Sequence, residues 1–285
     1  MARESNERSV VRVLIAVGLV LACCAVGIVQ GIALRIFYFI AACAGIWEVY
    51  GALRAKGLKP ARWVGMVYAV ALVPVYLWVG DWAILPLMVS CCFLGFADAI
   101  FRSEPDLERV AYTLFPILYP GSLVAVMLQM QDLPVPLYAI IAFLQTLLIA
   151  SMSDTFAWFV GTRFGRRRFA PKISPHKTVE GVLAGLVGAV LFAVLVPYVA
   201  EYAVYNIVSL SGYAAALPPL WQFAVMGVFA GVVAQMGDLA ASVVKRYCGV
   251  KDFSSIIPGH GGVMDRMDSI LFTATVVYTF YRIIL

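Results

Sequence analysis

Charge is what this sequence has least of. Asp, Glu, Lys and Arg make up 13% of its 285 residues, against about 25% in an ordinary soluble domain. With 63% hydrophobic residues and a mean hydropathy of +0.92, a water-soluble globular fold is excluded. The six cysteines form no CxxC and no Cys/His metal spacing, and all but Cys248 lie in apolar runs. They read as buried, reduced thiols. A cleavable leader is not evident either: the first apolar run follows a basic start without a clear small-residue cleavage site, so it is read as a helix. No internal repeat is visible.

What is present instead is a series of apolar runs near the ~20 residues needed to cross a bilayer as a helix. They fall at 10–29, 36–53, 63–79, 82–101, 110–130, 133–159, 179–200, 220–247 and 264–285. The expected class is therefore all-α, a polytopic integral membrane protein with about nine transmembrane helices. Of the 21 Lys and Arg, all but Arg35 and Arg282 fall on one side if the N-terminus is cytoplasmic. The positive-inside rule then orients the chain N-in, with Asp81, Asp132 and Glu201 marking the outer side. The net charge of +5 is mostly that bias, so no nucleic acid partner is expected.

Residues 1–130 carry little chemistry, and 131–285 carry most of it. In the first part, Glu48 and Asp98 are acids inside apolar runs. Each either lines a polar cavity or pairs with a nearby arginine, Arg54 at i+6 or Arg102 at i+4. Pro74, Pro86, Pro116 and Pro120 are expected to kink their helices. Trp63, Trp78, Trp82 and Trp221 suit the interfacial aromatic belt.

The richest stretch is 237–269, GDLAASVVKRYCGVKDFSSIIPGHGGVMDRMDS. On a helix, Asp238, Ser242 and Lys245 recur at i, i+4 and i+7 and share a stripe, with Arg246 beside it. Pro258 to Gly262 cannot continue a helix, because Pro fixes φ and the glycines favour positive φ, so the chain reverses there. Asp265 and Asp268, at i and i+3, then face one way near the start of the next helix, with Arg266 pointing elsewhere. Asp238 stands unpaired well inside its apolar run, a costly position that asks for a partner.

A second stretch, 151–181, reads SMSDTFAWFVGTRFGRRRFAPKISPHKTVEG. Asp154 has no cation at i±3 or i±4, which points to a cavity, metal or substrate partner. Arg163, Arg166, Arg167, Arg168, Lys172 and Lys177 form a basic membrane-surface loop. Charge alone is explained by topogenesis and anionic lipid. Ser174, Lys177, Thr178 and Glu180 additionally resemble a helix start whose N–H groups receive an anion.

Both stretches resemble the CDP-diacylglycerol synthase (phosphatidate cytidylyltransferase) family. Its signature matches Ser242, Lys245, Arg246, Lys251, Asp252, His260, Gly261, Gly262, Asp265, Arg266 and Asp268. Its second block matches Asp154, Thr155, Ala157, Gly161, Gly165, Ser174, Pro175, Lys177, Thr178, Glu180 and Gly181. His176 stands where the family usually has lysine. Together the blocks cover about the C-terminal half; the N-terminal half matches only in hydropathy.

The resemblance implies transfer of a cytidylyl group from CTP to phosphatidate, giving CDP-diacylglycerol and pyrophosphate, at a cytoplasm-facing site in a bacterial inner membrane. Such a reaction needs charge management more than covalent chemistry. Asp238, Asp265 and Asp268 are the expected Mg²⁺ ligands, with room left for a monovalent cation. Lys245, Arg246, Lys251 and Arg266 are expected on phosphates, Ser174, Lys177, Thr178 and Ser242 in substrate binding, and Asp154 in the catalytic set. His260 reads as a turn-fixing group or a hydrogen-bond donor to phosphate rather than a general base, since phosphatidate already carries an ionised nucleophile. A homodimer is compatible with all of this. The rival readings are a polyprenol kinase type of enzyme, which also uses CTP on a lipid, and a transporter, which would show broken helices and paired repeats.

Overall fold

A computed structural model describes residues 18, 21–102, 106–203, 217–257 and 261–285. Among them the chain is almost entirely helical. Backbone polar groups in a bilayer must be satisfied within the segment, and the helix does this without a partner. The helices are α1 (Gly31–Ala55), α2 (Arg62–Val79), α3 (Ile84–Ile100), α4 (Leu107–Pro116), α5 (Ser122–Gln129), α6 (Pro136–Phe164), α7 (Val179–Ala203), α8 (Leu220–Cys248) and α9 (Met264–Ile284). Seven spans among the described residues are long and apolar enough to cross a membrane, with α4 and α5 contributing to one, Leu107–Asp132. They correspond to the seven expected runs between 36 and 247. The run at 10–29 lies mostly outside the described residues. The run at 264–285 is a helix as expected, but it is the polar one: Asp265, Arg266, Asp268 and Arg282 interrupt it.

Local sequence explains the element ends. Asp106 caps α4 by accepting the Arg109 N–H at 2.8 Å. Pro116 precedes and Pro120 lies within a break at Ile117–Gly121, where Tyr119 leaves helical geometry (φ −137°, ψ 109°); the kink expected of these two prolines is here, whereas Pro74 lies inside α2. Gly249 closes α8 in the left-handed region (φ 72°), its N–H reaching back to Lys245 and Arg246. The chain therefore leaves α8 directly after its two cations.

The run from Ser174 to Thr178 is not the start of a helix. It is a strand, β2 (Ser174–Thr178), paired antiparallel with β1 (Arg168–Ala170) in a short hairpin. α7 begins only at Val179, and Thr178 caps it, its Oγ1 accepting the Gly181 N–H at 3.2 Å. Glu180 closes no capping box. It reaches instead to the Arg166 and Arg167 N–H groups at 3.0 and 3.3 Å and holds the hairpin to the helix.

The C-terminal helices pack through small residues, which let backbones approach closely where hydrophobicity drives little. Gly185 and Gly188 of α7 lie against Ser153, Met152 and Phe156 of α6, while Gly227 and Gly231 of α8 lie against Ala189, Val190, Ala193 and Leu186 of α7. A buried polar chain ties three helices together. Tyr281 of α9 donates to Gln145 Oε1 at 2.7 Å, and Gln145 Nε2 donates to the Ala193 carbonyl of α7 at 2.7 Å. The outward faces are apolar, with Phe93, Val187 and Phe229 exposed, as a lipid-facing surface requires.

Candidate active site

The connection between α8 and α9 is folded around the Asp265 carboxylate. Asp265 Oδ1 receives the Lys245 ammonium at 2.7 Å, and Oδ2 receives the N–H groups of Phe253 and Gly262, each at 2.9 Å. Its side chain is almost fully buried, that of Lys245 largely so. Gly261 holds φ 82°, and a Cβ there would sit 2.9 Å from Asp265 Oδ2. Glycine is thus required both for the turn and for the approach. His260, Gly259 and Pro258 lie outside the described residues.

Asp265 and Asp268 share α9, as their spacing predicts, but they serve different surroundings. Asp265 is committed to Lys245 and the loop. Asp268, buried at 7% exposure, accepts the Ser269 N–H at 2.7 Å and stands close enough to Asp238 and Asp154 for the three carboxylates to repel one another. Ser269 Oγ donates to Asp154 Oδ2 at 3.4 Å. Asp154, with no cation at i±3 or i±4 on its helix, has the charges of Lys177 and Arg266 acting on it from other elements.

The expectation that Asp238 is unpaired does not hold. Lys177 Nζ, from β2, lies 2.5 Å from Asp238 Oδ2. The hairpin, absent from the sequence reading, is what carries Lys177 to the acid. Arg246 braces its turn, donating from Nε to the Ile173 carbonyl at 3.4 Å. Thr178 is buried where α6 and α7 cross, against Gly161, Gly165 and Gly181, so its hydroxyl is occupied with the cap. Ser174 and Ser242 are half-buried, and Lys251 is exposed in the loop.

A cavity of about 520 Å³ joins three of the four acids to apolar walls, while Asp238 and Lys177 are not among its lining residues. Its polar end carries Asp154, Asp265, Arg266, Asp268 and Ser269, and the rest is lined by residues such as Phe37, Ile40, Met127, Phe143 and Leu147. It is suited to a molecule with a charged head and an aliphatic body.

The acids fit a divalent metal by donor type. They are hard oxygen ligands, mutually repulsive and short of neutralising cations, which is the environment Mg²⁺ stabilises. Among the described residues, no three Asp, Glu, Cys or His side chains are drawn tightly enough together, as they stand, to ligate one ion.

Two residues of the N-terminal half belong to this region. Glu48 does not pair with Arg54; it accepts hydrogen bonds from Ser254 and from the start of α9. Tyr119 is buried, its hydroxyl has no hydrogen-bond partner among the described residues, and Asp238, Asp265 and Asp268 all lie within its electrostatic reach. The sequence signal for Tyr119 is the proline pair around it, which marks a break without saying what faces it. Asp98, by contrast, pairs with Arg102 at 3.4 Å as its i, i+4 spacing suggests, and also with Arg109 at 2.8 Å. It is a structural ion pair.

A family model described as the cytidylyltransferase family matches residues 10–284. Named relatives include the phosphatidate cytidylyltransferase of Thermotoga maritima, 39% identical over 132 residues, which are 46% of this chain and 45% of that protein. The chloroplastic phosphatidate cytidylyltransferase 5 of Arabidopsis thaliana is 30% identical over 264 residues, 83% of this chain and 62% of that protein. The phosphatidate cytidylyltransferase of Staphylococcus saprophyticus is 28% identical over 248 residues, 85% of this chain and 87% of that protein. The chain thus spans about half the length of several of the curated relatives it matches.

Proposed function

Because the chain belongs to the cytidylyltransferase family, we propose that it is a phosphatidate cytidylyltransferase, transferring the cytidylyl group of CTP to phosphatidate in phospholipid synthesis. The observation that carries this reading is the acid-ended, apolar-walled cavity, at which residues of both signature stretches meet. A phosphatidate phosphate oxygen forms a bond to the α-phosphorus of CTP while the bond from that phosphorus to the β-phosphate oxygen breaks, releasing pyrophosphate. The nucleophile is already ionised near neutral pH, so no general base is needed.

The protein's part is positioning and charge. Arg266 faces the cavity with Asp265 and Asp268 and is the cation best set for phosphate oxygens, where its planar guanidinium can make paired contacts. Arg246 and Lys251 lie exposed at the loop and suit the triphosphate. Lys245 acts by holding Asp265 in place. Asp238 and Asp268 would hold Mg²⁺, with Asp265 beside them and Asp154 in the same repelling group. When bound, the metal supplies charge neutralisation for the triphosphate and the departing pyrophosphate. The orientation follows from the cations: with the N-terminus inside, the hairpin and the α8–α9 loop face the cytoplasm, where CTP is dissolved, in a bacterial inner membrane.

The test separates this reading from a lipid kinase that uses CTP. Purified protein in phosphatidate-containing vesicles is given CTP labelled at either the α- or the γ-phosphate. Label from the α-position is expected in lipid and γ-label in soluble pyrophosphate; γ-label in lipid would establish the kinase reading instead.

A further inference from the structure

Val263 occupies the N-cap position of the helix that carries Asp265 and Asp268 and makes no side-chain cap, and among the described residues no side chain of that segment satisfies the free N–H groups of the first turn. Such groups cannot be left bare inside a bundle. The acceptor comes from α1, in the N-terminal half. Glu48 Oε1 receives the Val263 N–H at 2.9 Å and the Ser254 hydroxyl at 2.6 Å, and Oε2 receives the Met264 N–H at 2.7 Å.

Glu48 is 2% exposed, and all three of these donors are neutral. Its charge faces the positive end of α9, where an anion is favoured. The fit is close: a Cβ on Gly262 would lie 2.6 Å from both carboxylate oxygens. Donors along the loop alternate between two carboxylates. Phe253 and Gly262 give to Asp265, while Ser254, Val263 and Met264 give to Glu48. Both ends of the connection are therefore clamped, one carboxylate from within α9 and one from outside it.

We propose that Glu48 is a positioning residue for the reaction, setting where the first turn of α9 stands and hence where Asp268 sits relative to Asp238 and Asp154. The proposal rests on the cytidylyltransferase reading of the site. Glu48 touches no substrate; it acts through the Val263 and Met264 amides.

Glu48→Gln keeps the shape but turns one acceptor into a donor facing a donor. The full-length protein is compared with this variant in phosphatidate vesicles. Expected are a kcat lower by about 100-fold, the order of loss for a reacting geometry displaced by ~1 Å, and a KM for CTP within about threefold. Hydrogen exchange should accelerate at 253–257 and at Val263 and Met264 while the rest of the bundle keeps its protection. Wild-type kcat, or wild-type exchange at Val263 and Met264, would overturn the proposal, as would faster exchange throughout the bundle, which would make Glu48 a general fold residue. Should the variant fail to insert, Ser254→Ala decides. It removes one of the three donors, and a kcat unchanged from wild type would again overturn the proposal, whereas a fall of about threefold or more at unaltered melting temperature supports it. If the wild-type protein itself moves no cytidylyl group, the reaction reading fails, while the exchange data still report whether Glu48 clamps α9.

Discussion

The ammonium of Lys177, on the second strand of the hairpin, lies 2.5 Å from the carboxylate of Asp238 in α8. A surface loop thereby places a cation against an acid that repels both Asp154 and Asp268. Charge balance at the polar end of the cavity depends on where the hairpin sits.

Lys177→Ala removes that cation and leaves three acids facing one another. Turnover is expected to fall by at least about tenfold, equivalent to ~1.4 kcal/mol of barrier, with membrane insertion unaltered. Activity within about twofold of wild type would leave the hairpin a topogenic element only. Initial rates and protease protection of inserted protein measure the two quantities.

Asp265 and Asp268 are expected to fail differently. Asp265→Asn strands the largely buried Lys245 ammonium. Because breaking such a pair from one side costs about 3–5 kcal/mol, its melting temperature should drop together with activity. Asp268→Asn relieves repulsion, so stability should hold or rise while CDP-diacylglycerol formation falls by orders of magnitude and the Mg²⁺ dependence shifts to higher concentration. An unchanged Mg²⁺ midpoint with full activity in Asp268→Asn would remove it from the metal site. Asp238→Asn combined with Asp268→Asn should cost far less than the product of the single losses, as for residues acting as a unit.

Gly262→Ala adds a methyl where only 2.6 Å separates the ideal Cβ from the Glu48 oxygens. Overpacking of this kind costs about 1–3 kcal/mol. The expected result is a lower melting temperature and reduced activity, measured on detergent-purified protein, whereas Gly51→Ala, on an exposed side of α1 with open space around it, should leave activity near wild type.

Orientation is checked independently. In protein stripped of its own cysteines, a single Cys in place of Arg167 should react with an impermeant thiol reagent only from the cytoplasmic side. Labelling from outside would reverse the topology and deny CTP its proposed access.

The helices were legible because runs of about 20 apolar residues admit one structure in a bilayer, and the reversal between α8 and α9 was legible because Pro258 and its glycines allow no helix. The hairpin was not. Arg168–Ala170 and Ser174–Thr178 are too short for a period-2 pattern to register, and the arginines beside them read equally well as a solvated loop. The partners of Asp238 and of α9 were hidden for a different reason. Lys177 belongs to the other signature stretch, and Glu48 lies 215 residues before Val263. Neither distance is bridged by helical spacing. Among the ion pairs of the described residues, Asp98–Arg102, at i and i+4, was within its reach.

The apolar walls of the cavity set the concentration scale on which such an enzyme works. A ligand that meets Phe37, Ile40, Met127, Phe143 and Leu147 while its head meets Asp268 and Arg266 is drawn from a two-dimensional solution. Its supply is then a mole fraction rather than a molarity. Inert lipid added at constant total phosphatidate should slow the reaction by surface dilution, whereas enlarging the aqueous volume at fixed CTP concentration should leave the rate unchanged.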